Sequence, residues 1–393
     1  MYKNVLMRDS SNSQYLSTPT ILNDFIIIIA SFFVAFSLFS RSTTGLIIYI
    51  PIFFYLIVAI LAGLNFFKSF SLRKGFLILS PIVIYTIFLA IFQVQFLSQF
   101  SLRIISILFT IAFFINIRIS RKAINYIGFI FLSVFLYYAL SSIGYNAQFA
   151  GNNFIGNFEF QNNPNTMALV VLFSYIVIDR TSLVTNKYIY YGFTLLAVYS
   201  INNYDSRNAL VCLILYLILK KVLQYTTITT KKILIVAIFM LSIVLPIYYV
   251  SYYNSNPKIQ NSEVLGKDVY SGRQNIWIDA SKYQNTKTIL FGNSNQEFLK
   301  TLPSNSLHSI YIDLIYRLGL IFFILYMFIL YRLIFMVNHL PNIVFGSIVV
   351  LITYGLFESS FQSGGYASLL MLFVFIVPYG PQISDSLTKD LKN

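Results

Sequence analysis

The stretch Phe25–Phe36 reads FIIIIASFFVAF, and it decides the fold class. A strand of a membrane barrel alternates apolar and polar residues, and this run does not. It is apolar on every face, as a helix surrounded by lipid or by other helices must be. Similar runs of about 17 to 23 residues recur along the chain, the length that carries a helix across a hydrocarbon core of roughly 30 Å. No water reaches backbone groups at that depth, so a span is a helix or part of a closed barrel. Composition agrees: 57% of the 393 residues are apolar and 10% are charged, against about 25% charged in soluble domains. The expected fold is an all-α polytopic membrane protein.

Working outward from that run, about twelve spans are expected, near residues 22–40, 45–66, 75–97, 102–117, 124–145, 165–179, 188–202, 208–222, 233–252, 310–336, 342–357 and 363–379. The first follows a polar start and has no small-residue cleavage site behind it, so it reads as a retained span and not a signal peptide. The halves do not match in span length or in Gly/Pro interruptions, as the repeats of many transporters do.

The net charge of +14 does not mark a nucleic-acid partner, because the cations stand in short clusters between apolar runs. Lys68, Arg73, Lys74, Arg118, Arg121, Lys122, Arg180, Lys187, Lys220, Lys221, Lys231 and Lys232 fall in alternate connections. The opposite short loops hold Arg41, Arg103 and Arg207, while the tails add Lys3, Arg8, Lys389 and Lys392 to the basic side. Positive residues stay inside, so both termini are expected in the cytoplasm. Lys220 and Lys221 end a short span and are expected to snorkel. The lone cysteine, Cys212, lies in an apolar run, so neither a disulfide framework nor metal-ligand spacing is present, and no metal or cofactor is expected.

This topology divides the chain into nine spans over 1–253, a large external loop over 254–306, and three spans with a cytoplasmic tail over 307–393. The polar segment Asn146–Asn165 falls outside as well. From Asn254 to Gly319 runs the long polar interval around which the rest is arranged. It holds Trp277, the single tryptophan, and His308, one of two histidines.

Chemistry-bearing residues cluster there. In SGRQNIWIDA, Arg273 precedes an amphipathic pattern with Ile276, Trp277, Ala280 and Tyr283 at helical spacing. A short helix lying on the membrane and anchored by Trp277 would hold Arg273 near the headgroups; alternatively Arg273 pairs with Asp268 or Asp279. His308 is expected to open a helix, with Tyr311, Ile312 and Ile315 on its face. Its pKa suits a general base, although a histidine at an interface is also a common structural residue. His339, in the cytoplasmic turn VNHLPN, serves as the structural comparison. Asp313 and Arg317 form an (i, i+4) pair roughly 140–180° around the helix from His308 and are expected to neutralise each other. Arg207 stands in NNYDSRNAL, with Asp205 or Ser206 as the expected cap of its helix. There it would bind an anion at a helix N-terminus or reach lipid phosphates from the interface. Glu358, in FESSFQSGG, would contact a sugar or cap a helix. Asn305 and Ser306, just before His308, belong with Asp313, Arg317, Glu358 and Trp277 as residues placed to contact acceptor sugar or to support the site. Two external arginines and an external histidine together suit an anionic lipid substrate and a hydroxyl acceptor.

At these residues the chain resembles the bacterial O-antigen ligase (WaaL) and O-antigen polymerase (Wzy) superfamily. The resemblance lies in NPNTMALVV (Asn163–Val171), SRNALVCLILY (Ser206–Tyr216), SGRQNIWIDA (Ser271–Ala280) and SNSLHSIYIDLIYRLGLI (Ser304–Ile321), in that order. It implies a GT-C-like architecture and inverting, metal-independent glycosyl transfer from undecaprenyl diphosphate at the outer face of the cytoplasmic membrane. It also implies that Arg207 and Arg273 hold the diphosphate, that His308 assists deprotonation of the acceptor, and that a flippase and a chain-length regulator of the same pathway are partners. Ligases often carry Asn after this histidine; Ser309 stands here, which favours a polymerase. The rival readings are a ligase moving polymer to lipid A core, a transporter of lipid-linked oligosaccharide, and a non-catalytic scaffold.

Overall fold

The computed structural model describes residues 21–39, 50–66, 70–92, 99–117, 119–143, 164–181, 183–255, 263–264, 267–268, 273–293, 307–336, 340–356, 358 and 366–376. Helices dominate. In chain order they are α1 (Ile21–Phe39), α2 (Ile50–Phe66), α3 (Phe70–Phe92), α4 (Gln99–Asn116), α5 (Arg121–Ser141), α6 (Pro164–Thr181) and α7 (Lys187–Asn203). There follow α8 (Arg207–Val222), which runs into a 3₁₀ turn at Leu223–Tyr225, and α9 (Ile228–Ser255). A ribbon of β1 (Glu263–Val264) antiparallel to β2 (Lys267–Asp268) precedes two short helices, α10 (Arg273–Ser281) and α11 (Thr286–Phe291). The chain then forms α12 (Ile310–Ile334), α13 (Asn342–Tyr354) and α14 (Tyr366–Leu372), with a last 3₁₀ turn at Phe373–Phe375.

A helix falls in each of the expected apolar stretches. Five are long and apolar enough to cross a membrane: Ile21–Phe39, Leu72–Ile91, Arg121–Ser141, Arg207–Tyr225 and Ile310–Ile334. This is the signature of a multi-pass helical membrane protein. The surface carries the same message, since large apolar side chains such as Leu77 (70% exposed), Ile84 (66%) and Ile91 (70%) point outward from α3. A soluble protein does not expose such a stripe. Helix α6 is the centre: Ala168 through Ile178 is buried on every side. It packs on α5, α7, α8 and α14.

Inside the bundle, polar side chains return their hydrogen bonds to the protein, as a low-dielectric surrounding demands. Ser31 and Thr86 donate to the carbonyls of Ile27 and Ile82, each four residues back. Tyr138 donates to the Leu38 carbonyl at 2.7 Å, and Tyr204 donates to the Tyr138 carbonyl at 2.6 Å, tying α1, α5 and the end of α7 together. Ser120 caps α5 by accepting from the Ala123 N–H, while its own N–H goes to Asp24 of α1.

Two cations have partners that their sequence surroundings do not show. The Lys220 ammonium lies 2.7 Å from Asp179, which also accepts from Tyr216 at 2.7 Å. Arg180, placed in a connection by the sequence, is buried and donates to the carbonyls of Phe373 and Ile376. Both find partners distant in the chain, which a local pattern does not reveal.

The segment joining the loop to α12 is locked backbone against backbone. Gly292 (φ 87°) and Gly319 (φ 90°) face each other, and a Cβ on Gly319 would come within 2.4 Å of the Leu290 carbonyl oxygen. Gly319 breaks the helical dihedrals of α12, and the kink lets α11 lie against it. The Asn293 N–H donates to the Tyr316 carbonyl across this contact at 3.0 Å. Gly319→Ala should therefore cost about 1–3 kcal/mol of stability and lower the melting temperature followed by Trp277 fluorescence. Gly192→Ala, where a Cβ meets nothing within 4 Å, should leave that temperature unchanged or raise it. Equal melting of the two variants would contradict the locked contact.

Candidate functional site

His308 stands on a turn, two residues before α12, and does not open the helix. The helix starts at Ile310 with Ser309 at the N-cap. His308 itself has φ 53°, the left-handed region that a side chain other than glycine enters at a cost of roughly 1–2 kcal/mol. Its neighbours explain why it stays there. The Leu307 carbonyl accepts the Trp277 indole N–H at 2.7 Å. The Leu307 N–H points to the Asp313 carboxylate at 3.3 and 3.4 Å. The Ile310 N–H donates to the Gly355 carbonyl at 3.0 Å. A residue pinned on both sides is over-determined, which is the condition under which backbone strain survives.

The expected Asp313–Arg317 pair is formed, with Arg317 Nε 3.0 Å from Asp313 Oδ1. The guanidinium also lies over the Phe100 ring at 4.9 Å. Asp313 is thus more than a neutralised charge, because its other task is to hold Leu307. The pair supports the His308 turn from below.

Trp277 does not anchor α10 to a membrane surface. It is 2% exposed and packs with Ala280, Leu307 and Ile312 in a small core of its own. An amphipathic pattern shows that a helix has an apolar face, not what covers it, and here the cover is α12. Tyr283 lies in the turn beyond α10, on the exposed side. Asp279 is committed to Lys282 at 2.7 Å, a hydrogen bond that holds the lysine above its ordinary pKa. Arg273 is the first residue of α10. It stands four residues before Trp277, about 6 Å along the axis, and the indole ties the middle of α10 to the His308 turn. The stretch after Asn285 is helical at α11 and packed on α12; residues 294–306, with Asn305 and Ser306, lie outside the described residues, as do His339 and the termini.

Arg207 begins α8, with Ser206 at the N-cap position and Asp205 in a left-handed conformation at φ 54°. The Ser206 hydroxyl does not cap; it is buried and bonds to no group among the described residues, and the same holds for Ser309. The next residue, Asn208, donates to the Tyr354 carbonyl at 3.3 Å. Tyr354 adjoins Gly355, which receives the Ile310 N–H, and Glu358 follows, buried at 5% exposure. Sequence reasoning passed over Asn208, whose only signal was its position next to Arg207.

The N-termini of α8 and α12 and the C-terminus of α13 therefore meet at one end of the bundle, and α10 reaches the same end through Trp277. This end carries Arg207 and His308, with Glu358 three residues beyond Gly355 and Arg273 at the start of the helix that holds Trp277, and both left-handed residues outside glycine among those described. Chemically it offers helix N-termini that favour an anion, with an imidazole held beside them. No protein-family model matches the chain, and neither a curated protein nor a solved structure matches it.

Replacing Asp313 by Leu should cost about 3–5 kcal/mol, since it strands the part-buried Arg317 charge. Asp313→Leu combined with Arg317→Met should recover part of that loss. Thermal unfolding of both variants decides the matter, and identical melting of the single and double variants would remove the pair as a strut.

Proposed function

We propose that this chain is a polysaccharide polymerase: a metal-independent, inverting glycosyltransferase that moves a glycan from undecaprenyl diphosphate onto a sugar hydroxyl. The observation that carries the reading is the convergence of Arg207, the Arg273 helix and the strained His308 at one end of an apolar helical bundle. The twelve-span, GT-C-like topology with cytoplasmic termini belongs to the same proposal. It puts that convergence at the outer face of the bacterial cytoplasmic membrane.

A glycosyl diphosphate is already activated. The enzyme has to stabilise the negative charge that develops on the departing diphosphate and to orient the acceptor. Arg207 at the N-terminus of α8 and Arg273 at that of α10 supply fixed positive charge for the leaving group. His308 takes the proton of the acceptor hydroxyl as its oxygen bonds to the anomeric carbon and the carbon–oxygen bond to the diphosphate breaks. Attack opposite the leaving group inverts the anomeric configuration. Glu358, beside Gly355, stands where an acceptor sugar would lie. The left-handed turn serves this chemistry by fixing the imidazole without the freedom of a helix-terminal side chain.

The test is the glycan profile of a strain lacking the chain, complemented with variants. Loss is expected to leave acceptor lipid capped with a single repeat. His308→Asn should reproduce that loss at normal protein level, because asparagine tolerates the left-handed turn yet is no base. Arg273→Ala should do the same. Normal polymer length in either variant would sink the assigned roles. Finished polymer stranded on undecaprenyl diphosphate would make the chain a ligase, and substrate retained on the cytoplasmic side would make it a transporter.

A further inference from the structure

At the end of the bundle opposite His308, the C-terminus of α8 meets the start of α13. Leu219 and Leu223 lie against Gly346, and Lys231 of α9 bonds to Asn342. The N-terminal turn of α7 lies beside them, because the Lys220 ammonium sits 4.5 Å from the Tyr190 ring centroid and 3.3 Å from its hydroxyl. Lys187, the first residue of α7, lies one turn before Tyr190 and has its ammonium 5.1 Å from the Tyr188 ring. Lys221 follows Lys220 directly.

Three lysines thus stand at the neighbouring ends of one helix pair, and they are not equivalent. Lys220 is spent on Asp179, a buried carboxylate that Tyr216 also holds. Lys187 and Lys221 are exposed and have no carboxylate partner among the described residues. The surface around them is apolar and aromatic, with Tyr188 72%, Tyr191 60% and Tyr225 87% exposed. Tyrosines at the rim of an apolar helix surface mark the depth of lipid headgroups, where the ring is half in hydrocarbon and the hydroxyl in water. A soluble anion gains nothing from that rim, whereas a lipid uses both the charge and the apolar wall.

We propose that Lys187 and Lys221 form a binding site for the phosphodiester headgroup of an anionic phospholipid, with the acyl chains along the exposed face of α7 and α8. Asp179 tunes the site by withdrawing Lys220 from it and by fixing the relative height of the two helices. The inference needs no reading of the His308 end.

The experiment is native mass spectrometry of the full chain purified in a neutral detergent and titrated with phosphatidylglycerol or phosphatidylcholine. Wild-type protein should retain phosphatidylglycerol in preference. Lys187→Gln and Lys221→Gln should each weaken that retention roughly five-fold, and added salt should weaken it further in the wild type. Lys282→Gln, at the opposite end, should change nothing, and unchanged Trp277 melting verifies that the variants are folded. Equal retention of the two lipids by the wild type, or undiminished retention by the folded double variant, would overturn the site. So would displacement of the lipid by inorganic phosphate at constant ionic strength, which would show a free-phosphate site.

Discussion

The turn from Leu307 to Ile310 is the joint on which the described architecture depends. Its carbonyl end takes the indole of the loop helix α10, its first N–H looks into the Asp313 carboxylate of α12, and its last N–H closes on Gly355 at the end of α13. Each bond alone contributes only about 1 kcal/mol net. Together they confine one backbone conformation, and in a medium without water each group left unpaired would cost several times that. The strain at His308 persists because the backbone donors of Leu307 and Ile310, on either side of it, already have destinations.

The same economy shapes the rest of the bundle. Apolar side chains face outward along α1, α3 and α9, so specificity of helix packing has to come from the few polar contacts inside. Tyr138 to Leu38, Tyr204 to Tyr138 and Asn65 to Asn23 each join helices that hydrophobicity alone would let slide. The Asp179–Lys220 pair with Tyr216 and Tyr190 does this for α6, α7 and α8 with charge. A register fixed at that end also fixes the height of Arg207, because α8 is a continuous helix from one end to the other.

What could be read from residues alone follows from the range of each signal. The apolar stretches were legible because a span is a property of consecutive residues, and the Asp313–Arg317 pair because (i, i+4) is a local spacing. The partner of Lys220 was not legible because it lies 41 positions away, and those of Arg180 because they are backbone carbonyls near the other end of the chain. Trp277 shows a third limit: periodicity found its helix but could not say whether lipid or protein covers the ring. Arg207 and His308 were conspicuous as rare charged or titratable residues, while the left-handed conformations at Asp205 and His308 left no mark in the residue types. Gly292 and Gly319 are ordinary glycines in the sequence; their pairing exists only in the contact between α11 and α12.

The proposed diphosphate site sets a demand on how the helix termini are used. The C-terminus of α13 points the negative end of its dipole at the site, which would repel a phosphate. Its carbonyls are occupied: Ile352 accepts from the Tyr311 hydroxyl at 2.6 Å, Tyr354 from Asn208 and Gly355 from Ile310. The donors come from α8 and α12, whose own termini are positive, so the bonds that build the joint also cancel the one unfavourable dipole. The first turns of α8 and of α12 each carry a buried serine hydroxyl outside any bond with the described residues. For the proposed reaction, the diphosphate then belongs with the helix N-termini and the acceptor sugar with the α13 end, where Glu358 follows Gly355.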